Sequence, residues 1–78
     1  MKLYSVFYEI FDENDNIVLC SYNSILADFS KIDSAKRALK DDFSCMESAL
    51  KEGYSLWFNI DAIFVCDYDP LRSNVLKR

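Results

Sequence analysis

Three stretches of the chain alternate their side chains in the way β-strands do. They are Leu3–Phe11, Ile17–Leu26 and Leu56–Cys66, and each carries apolar residues on both of its alternating faces. The polar segment 12–16 separates the first two stretches and predicts a hairpin. The third stretch contains Asn59–Ile60–Asp61, where a bend or bulge would divide it into two strands. The pattern leaves both readings of this stretch open.

A fourth stretch, Lys31–Lys51, has the periodicity of an amphipathic helix. Its apolar residues recur at spacings of three and four and form one stripe: Ile32, Ala35, Leu39, Phe43, Met46 and Leu50. Ser30 followed by Asp33 is a helix-start pattern, and Asp33 by itself is the other candidate cap. Gly53 follows the stretch, where a left-handed helix cap would require glycine.

The order of these elements, ββαβ, predicts one small α+β domain over residues 1–78. We expect a three-stranded, mostly antiparallel sheet in the order 2-1-3, packed on the single helix. The first strand is placed in the centre because it is apolar on both faces. Asp69–Pro70 is a further helix-start signal, so residues 70–78 form either a short C-terminal helix or a loose tail.

One helix covers one face of such a sheet, so the other face is expected to stay open. Strand alternation assigns to the helix side Tyr4, Val6, Tyr8, Ile10, Val18, Cys20, Leu56, Phe58, Ile60 and Phe64. It assigns to the open side Phe7, Phe11, Ile17, Leu19, Trp57, Ile63 and Val65. The C-terminal segment 71–76 offers three apolar residues, which would cover one edge of the open side but not all of it. Large exposed apolar patches mark interaction surfaces.

The charges of the chain indicate which kind of protein partner the open side would bind. The chain has 13 acidic and 9 basic residues, a net charge of -4 and a pI near 4.6. Glu9, Asp61 and Asp67 are expected on the open side, with no Lys or Arg among them. An apolar face that carries only carboxylates suits a basic, partly apolar protein. The same acidity opposes the phosphate contacts of nucleic-acid binding, so no direct nucleic-acid contact is expected.

The residues that most enzymes and metal sites need are missing. The chain has no His and one Gly, which excludes phosphate-binding glycine loops and the nucleophile-elbow motif. Cys20, Cys45 and Cys66 lack the paired spacing of zinc ligands and are expected to be buried as small apolar side chains. Segment 12–16 resembles the opening of a calcium loop, but Ile17 stands where that loop needs Gly. We expect no catalysis, cofactor or metal.

The start of the chain has no signal-peptide pattern, and no apolar run approaches the roughly 18 residues that span a bilayer. We therefore expect a cytoplasmic protein without membrane contact.

These features predict a non-catalytic protein–protein interaction module. Its function would be that of a small acidic inhibitor or regulator that occupies a basic surface, including one that otherwise binds nucleic acid. The candidate partner-binding residues are Phe7, Glu9, Phe11, Trp57, Asp61, Ile63 and Asp67. In size and charge alone the chain is similar to small phage or mobile-element proteins that block host defences, the anti-CRISPR proteins among them, and no motif carries this analogy. The alternative is a homo-oligomer, such as a homodimer, that buries its open face or a sheet edge against a copy of itself.

Overall fold

The computed structural model describes residues 1–28 and 31–67. Its elements are β1 (Lys2–Phe11), β2 (Ile17–Ala27), α1 (Ile32–Ser48), β3 (Ser55–Phe58) and β4 (Phe64–Asp67). β1 lies in the middle of one sheet, with β2 along one side and both β3 and β4 along the other, all antiparallel to it. The predicted α+β class and the strand order 2-1-3 are confirmed. The expected C-terminal helix or tail lies outside the described residues.

Within that described part, no helix has the length and the apolar run that crossing a membrane requires.

The hairpin between β1 and β2 is built on Asp12. Its Oδ1 accepts hydrogen bonds from the backbone N–H groups of Asn14 and Asn16, each at 2.9 Å. The Asp12 backbone N–H donates in turn to the Asn16 carbonyl at 2.9 Å. Asp15 has a φ of 63°, a left-handed conformation that Asp tolerates better than most residues. The predicted hairpin is therefore confirmed.

One residue is added to β2 next to this loop. Phe11 faces Ile17, but Ile10 faces Leu19, which leaves Val18 without a partner on β1. Such a bulge changes which residues of the strand share a face from that point on.

The helix begins and ends differently from the prediction. Its N-cap is Lys31, in an extended conformation and without a side-chain cap hydrogen bond, so Asp33 lies in the first turn and is not the cap. Ser30, the other candidate, lies outside the described residues. The C-cap is Ala49. Gly53, with a φ of 87°, instead occupies the third position of a turn closed by the Tyr54 N–H and the Lys51 carbonyl at 3.0 Å.

The apolar stripe of α1 packs on one face of β1. Ala35, Leu39 and Phe43 are buried there against Tyr4 and Val6. Phe43 lies at the centre of the contact: its ring stacks on Phe58 with centroids 4.1 Å apart and meets Tyr8 edge to face at 5.7 Å. This contact closes one side of the sheet, as the helical periodicity predicts.

The third stretch is divided into two strands. Tyr8 faces Phe58 and Ser5 faces Phe64, so the two β1 residues between them lie opposite the five residues 59–63. Three extra residues are an odd number, and an odd number inverts the alternation of faces. Of the two readings left open by the sequence, the divided strand is therefore correct.

Together, the bulge in β2 and the insertion before β4 exchange several residues between the two faces. Cys20 faces Glu9 and Phe64 faces Ser5, so both lie on the open side, although the sequence predicts the helix side. Leu19 faces Ile10 and Val65 faces Tyr4, so both lie on the helix side, and Ile63 packs against the core. These five assignments are corrected.

Candidate functional site

The open face is formed by rows of residues that face one another across β1. Phe7 faces Tyr22 of β2. Glu9 lies between Cys20 of β2 and Trp57 of β3. The other residues of this face follow from the same register: Leu3, Ser5, Phe11, Ile17, Ser24, Leu26, Ser55, Phe64 and Cys66. Most of these side chains are apolar, and the described part of the chain places no helix against them.

Four aromatic side chains line a groove at the centre of this face. The Tyr22 ring meets Phe7 edge to face at 5.4 Å and Phe64 at 6.0 Å. Together with Trp57, these three rings line an open groove of about 320 Å³. We call the groove formed by Phe7, Tyr22, Trp57 and Phe64 the aromatic groove. The side chains of Tyr22, Trp57 and Phe64 are 56%, 49% and 59% exposed. Rings of this size are seldom left this exposed together in one place.

The insertion between β3 and β4 forms one wall of the groove. Asn59 and Ala62 line it directly. The Asn59 side-chain oxygen accepts the Asp61 backbone N–H at 3.0 Å, and its carbonyl accepts the Ala62 N–H at 3.1 Å. These two hydrogen bonds, one to the side chain of Asn59 and one to its carbonyl, hold the segment that forms this wall in a compact turn.

A second hollow continues from the groove along β1 and β2. Ser5, Tyr22, Ser24 and Phe64 line about 370 Å³ there. The Ser5 and Ser24 hydroxyls are hydrogen-bonded to each other across the strands at 2.7 Å. Next to the aromatic groove, the surface therefore offers polar groups that a partner's backbone or side chains can reach.

The structure places four of the predicted site residues on the open face and three elsewhere. Phe7, Glu9, Phe11 and Trp57 lie on it, as predicted from the alternation. Asp61 points toward the helix, where it pairs with Lys36 at 3.3 Å.

Ile63 packs against the core. Asp67 faces Lys2, on the helix side of β1, and the two side chains approach to 4.0 Å. The expectation that Asp61, Ile63 and Asp67 share the open face is therefore wrong.

Two residues of the aromatic groove, Tyr22 and Phe64, are absent from the predicted set. Both lie beyond an irregularity that inverts the faces, Tyr22 after the bulge at Val18 and Phe64 after the insertion. The only sequence signal was their aromatic character, because alternation alone assigned Phe64 to the opposite side.

Negative charge lies on the open face and at its hairpin end. Glu9 is its one charged residue within the described chain, and the loop beyond Phe11 adds Asp12, Glu13 and Asp15. Hydrogen bonds from the backbone, chiefly that of Asn16, lower the pKa of Asp12 below its usual value, so this carboxylate stays ionised.

The three cysteines are exposed, contrary to the expectation that they are buried. Cys20 and Cys66 lie on the open face because of the inverted registers, and Cys45 lies on the outer side of α1.

Comparison of the chain with models of protein families, with characterised proteins and with solved structures finds no match.

Proposed function

We propose that this chain is a non-catalytic interaction module that binds another protein through its open face. The observation that supports the proposal is the aromatic groove, four large rings gathered on a sheet face that α1 does not cover. Burying one such side chain is worth roughly 1.5–3 kcal/mol, and a surface that leaves several exposed gains most from a protein partner.

The groove has the composition of an interface centre. Trp and Tyr dominate the energy of protein interfaces because they bury large areas and lose little conformational entropy. Trp57, Tyr22 and Phe64 are therefore the proposed anchors, with the Ser5–Ser24 hydroxyls as a polar rim beside them. Because the groove is lined mainly by aromatic rings, the group of the partner that inserts into it is expected to be apolar.

Charge favours a basic surface around that protrusion. The open face carries no Lys or Arg among the described residues, and Glu9 and the hairpin carboxylates of Asp12, Glu13 and Asp15 lie along one end of it. Complementary charge speeds association and selects the partner. A module with this face would inhibit or regulate its partner by covering a basic site. Asp61 and Asp67, which lie on the helix side, have no part in this contact.

The test removes the two anchors farthest from β2. The double variant Trp57→Ala, Phe64→Ala and the matched control Ile32→Ala, which truncates an exposed side chain on the opposite side, are immobilised beside the natural chain in lysate of the source cells. Proteins held by the natural chain and the control should be lost from the double variant. With the captured protein purified, the single variants Trp57→Ala and Phe64→Ala should each lower the affinity about 30-fold or more.

Circular dichroism and thermal unfolding of the three proteins show whether the fold is kept. Equal retention by the natural chain and a folded double variant would contradict the proposal.

A second candidate is a homo-oligomer that buries the open face against a copy of itself. It is favoured by the positions of Asp61 and Asp67, which lie on the helix side and not on the open face. Glu9 is then the one charged residue of the open face among the described residues, so two copies that meet through this face repel each other less. Light scattering distinguishes the two: self-burial predicts an oligomer that the double variant converts to a monomer.

A further inference from the structure

Within the described residues, the outer edge of β2 pairs with no other strand and has few of the features that keep sheet edges apart. Natural edge strands are kept from pairing with other chains by charged residues, Pro, bulges or short length. The eleven residues of β2, Ile17–Ala27, contain no charged residue and no Pro or Gly, although the chain has 22 charged residues in 78. The bulge at Val18 lies at one end, and Leu19–Ala27 pair with β1 one to one.

The opposite edge of the same sheet has these features. β3 and β4 are four residues each, the insertion 59–63 interrupts them, and Asp61 and Asp67 add charge. One edge is thus blocked in three ways and the other is left long, regular and uncharged. Of the two edges, the β2 edge is therefore the one whose described residues do not oppose pairing.

Apolar exposure is concentrated on the same strand. Ten large hydrophobic side chains are exposed in the described part of the chain, and five of them belong to β2. These five are Ile17, Val18, Leu19, Tyr22 and Leu26. A strand added along β2 would cover part of each.

We propose that β2 pairs edge to edge with β2 of a second copy of this chain, antiparallel, about a two-fold axis at Tyr22. Around a two-fold axis normal to the sheet, odd-numbered residues face odd-numbered ones and even-numbered residues face even-numbered ones. Residues opposite each other therefore have their side chains on the same face of the joined sheet. With Tyr22 on the axis, Leu19 faces Ile25 of the second copy and Cys20 faces Ser24. Two large apolar side chains then face each other, and so do the two small side chains of Cys20 and Ser24.

The neighbouring registers match less well. An axis at Asn23 would set Ser21 against Ile25 and Tyr22 against Ser24, and an axis at Ser21 would set Leu19 against Asn23. Each places a polar side chain opposite a large apolar one. In the Tyr22 register, the residues Leu19–Ile25 of the two copies face each other, and all of them lie in the regularly paired part of the strand.

The pairing has a consequence for the open face. Both helices lie on one side of the joined sheet, and both open faces lie on the other. Because Tyr22 contacts Phe7 and Phe64, two Tyr22 rings at the axis would join the two aromatic grooves into one surface. The inference does not rest on the proposed function, since a monomer could bind a partner and a dimer could form without one.

The first experiment places charge on the axis. The full chain should have a mass near twice 9.1 kDa in light scattering at high micromolar concentration. Tyr22→Lys and Tyr22→Glu should each raise the dimer Kd about tenfold or more, because like charges then face each other. An equimolar mixture of the two variants should restore the dimer. Ser55→Lys, on the same face at the opposite edge, is the matched control and should leave the dimer intact.

Cross-linking tests the register without charging the interface. In a Cys45→Ser, Cys66→Ser background, Ser24→Cys should link through Cys20 of the second copy when oxidised glutathione is added. Ser21→Cys should not, since position 21 lies on the other face of the strand. The inference would be overturned if the chain is a monomer at all concentrations, if neither Tyr22 variant weakens the dimer, or if the mixture of the two variants stays monomeric. It would also be overturned if no cross-link forms through position 24. The double variant Trp57→Ala, Phe64→Ala should still dimerise, which separates this result from failure of the groove proposal.

Discussion

Asp12 organises the hairpin loop with a single carboxylate oxygen. That oxygen accepts the N–H groups of Asn14 and Asn16, and the chain turns around it. The hydrogen bonds favour the ionised carboxylate and therefore lower its pKa from the ordinary value of 3.8. By linkage, a group whose pKa is depressed on folding stabilises the fold above its unfolded pKa and loses that contribution as pH falls through its folded pKa. The stabilising effect should thus disappear only below pH 3.8.

We expect the Asp12 carboxyl to titrate below pH 3.8 in the folded chain. NMR of the side-chain carbon measures this directly, together with the amide shifts of Asn14 and Asn16. Asp12→Asn is the control, because its amide oxygen keeps an acceptor in place without titrating. In this variant the amide shifts of Asn14 and Asn16 should lose the pH-dependent step that belongs to the Asp12 carboxyl. A midpoint at or above 3.8 in the natural chain would show that these hydrogen bonds do not hold the loop in solution.

At the scale of the elements, the turn between α1 and β3 depends on Gly53. Its φ of 87° is a conformation that L-residues with a Cβ adopt at a cost of about 1–2 kcal/mol. An added Cβ would also lie 3.3 Å from the Glu13 Cβ of the hairpin loop, a tight contact. Gly53→Ala should therefore lower the free energy of unfolding by about 1–2 kcal/mol or slightly more.

Urea unfolding followed by fluorescence measures this loss. Glu52→Ala is the matched control, since residue 52 lies in the same turn, is exposed, and is not in the left-handed region. It should change stability by less than about 0.5 kcal/mol. Equal effects of the two substitutions would mean that the positive φ is not kept in solution.

Elements of unbroken alternation could be predicted from the sequence, and those beyond an irregularity could not. β1 was predicted correctly on both faces because its pattern runs without interruption through the centre of the sheet. The faces of β2 and β4 were not, because one extra residue, Val18, and three extra residues before Phe64 invert the alternation. Strand alternation has a period of two, so an odd insertion reverses every residue beyond it.

The candidate site shares that limit. Phe7 and Phe11 were found because the alternation of β1 is unbroken, and Trp57 was found because it precedes the insertion 59–63. Tyr22 and Phe64 belong to the groove through registers that depend on hydrogen bonding between distant strands. A single sequence contains no direct record of such pairing, so the apolar content of the open face was predictable and its central residues were not.

At the scale of the whole molecule, the packed interior is small. In the described chain the buried hydrophobic residues are Tyr4, Val6, Ile10, Ala35, Leu39 and Phe43, and all of them except Ile10 form one cluster between α1 and one face of the sheet. A 78-residue protein is typically stable by about 4–12 kcal/mol. Because α1 covers one side of the sheet, the described part of the chain has this one packed layer, and each side chain in it contributes a large part of the total stability.

Leu39 offers the sharpest measure of that layer, because its side chain is fully enclosed at 0% exposure. Leu39→Ala removes apolar contacts and leaves a cavity between α1 and the sheet, which should cost about 2–5 kcal/mol. Ile32→Ala truncates a residue of the same helix stripe that is 44% exposed, and should cost less than about 1 kcal/mol. Urea unfolding at one protein concentration compares the two, and repeating it at several concentrations separates the intrinsic loss from any effect of dimerisation. Equal losses in the free energy of unfolding for the two variants would show that α1 does not pack on the sheet through Leu39. If only Leu39→Ala loses nearly all of the free energy of unfolding, the stability of the protein comes from the packing between α1 and the covered face.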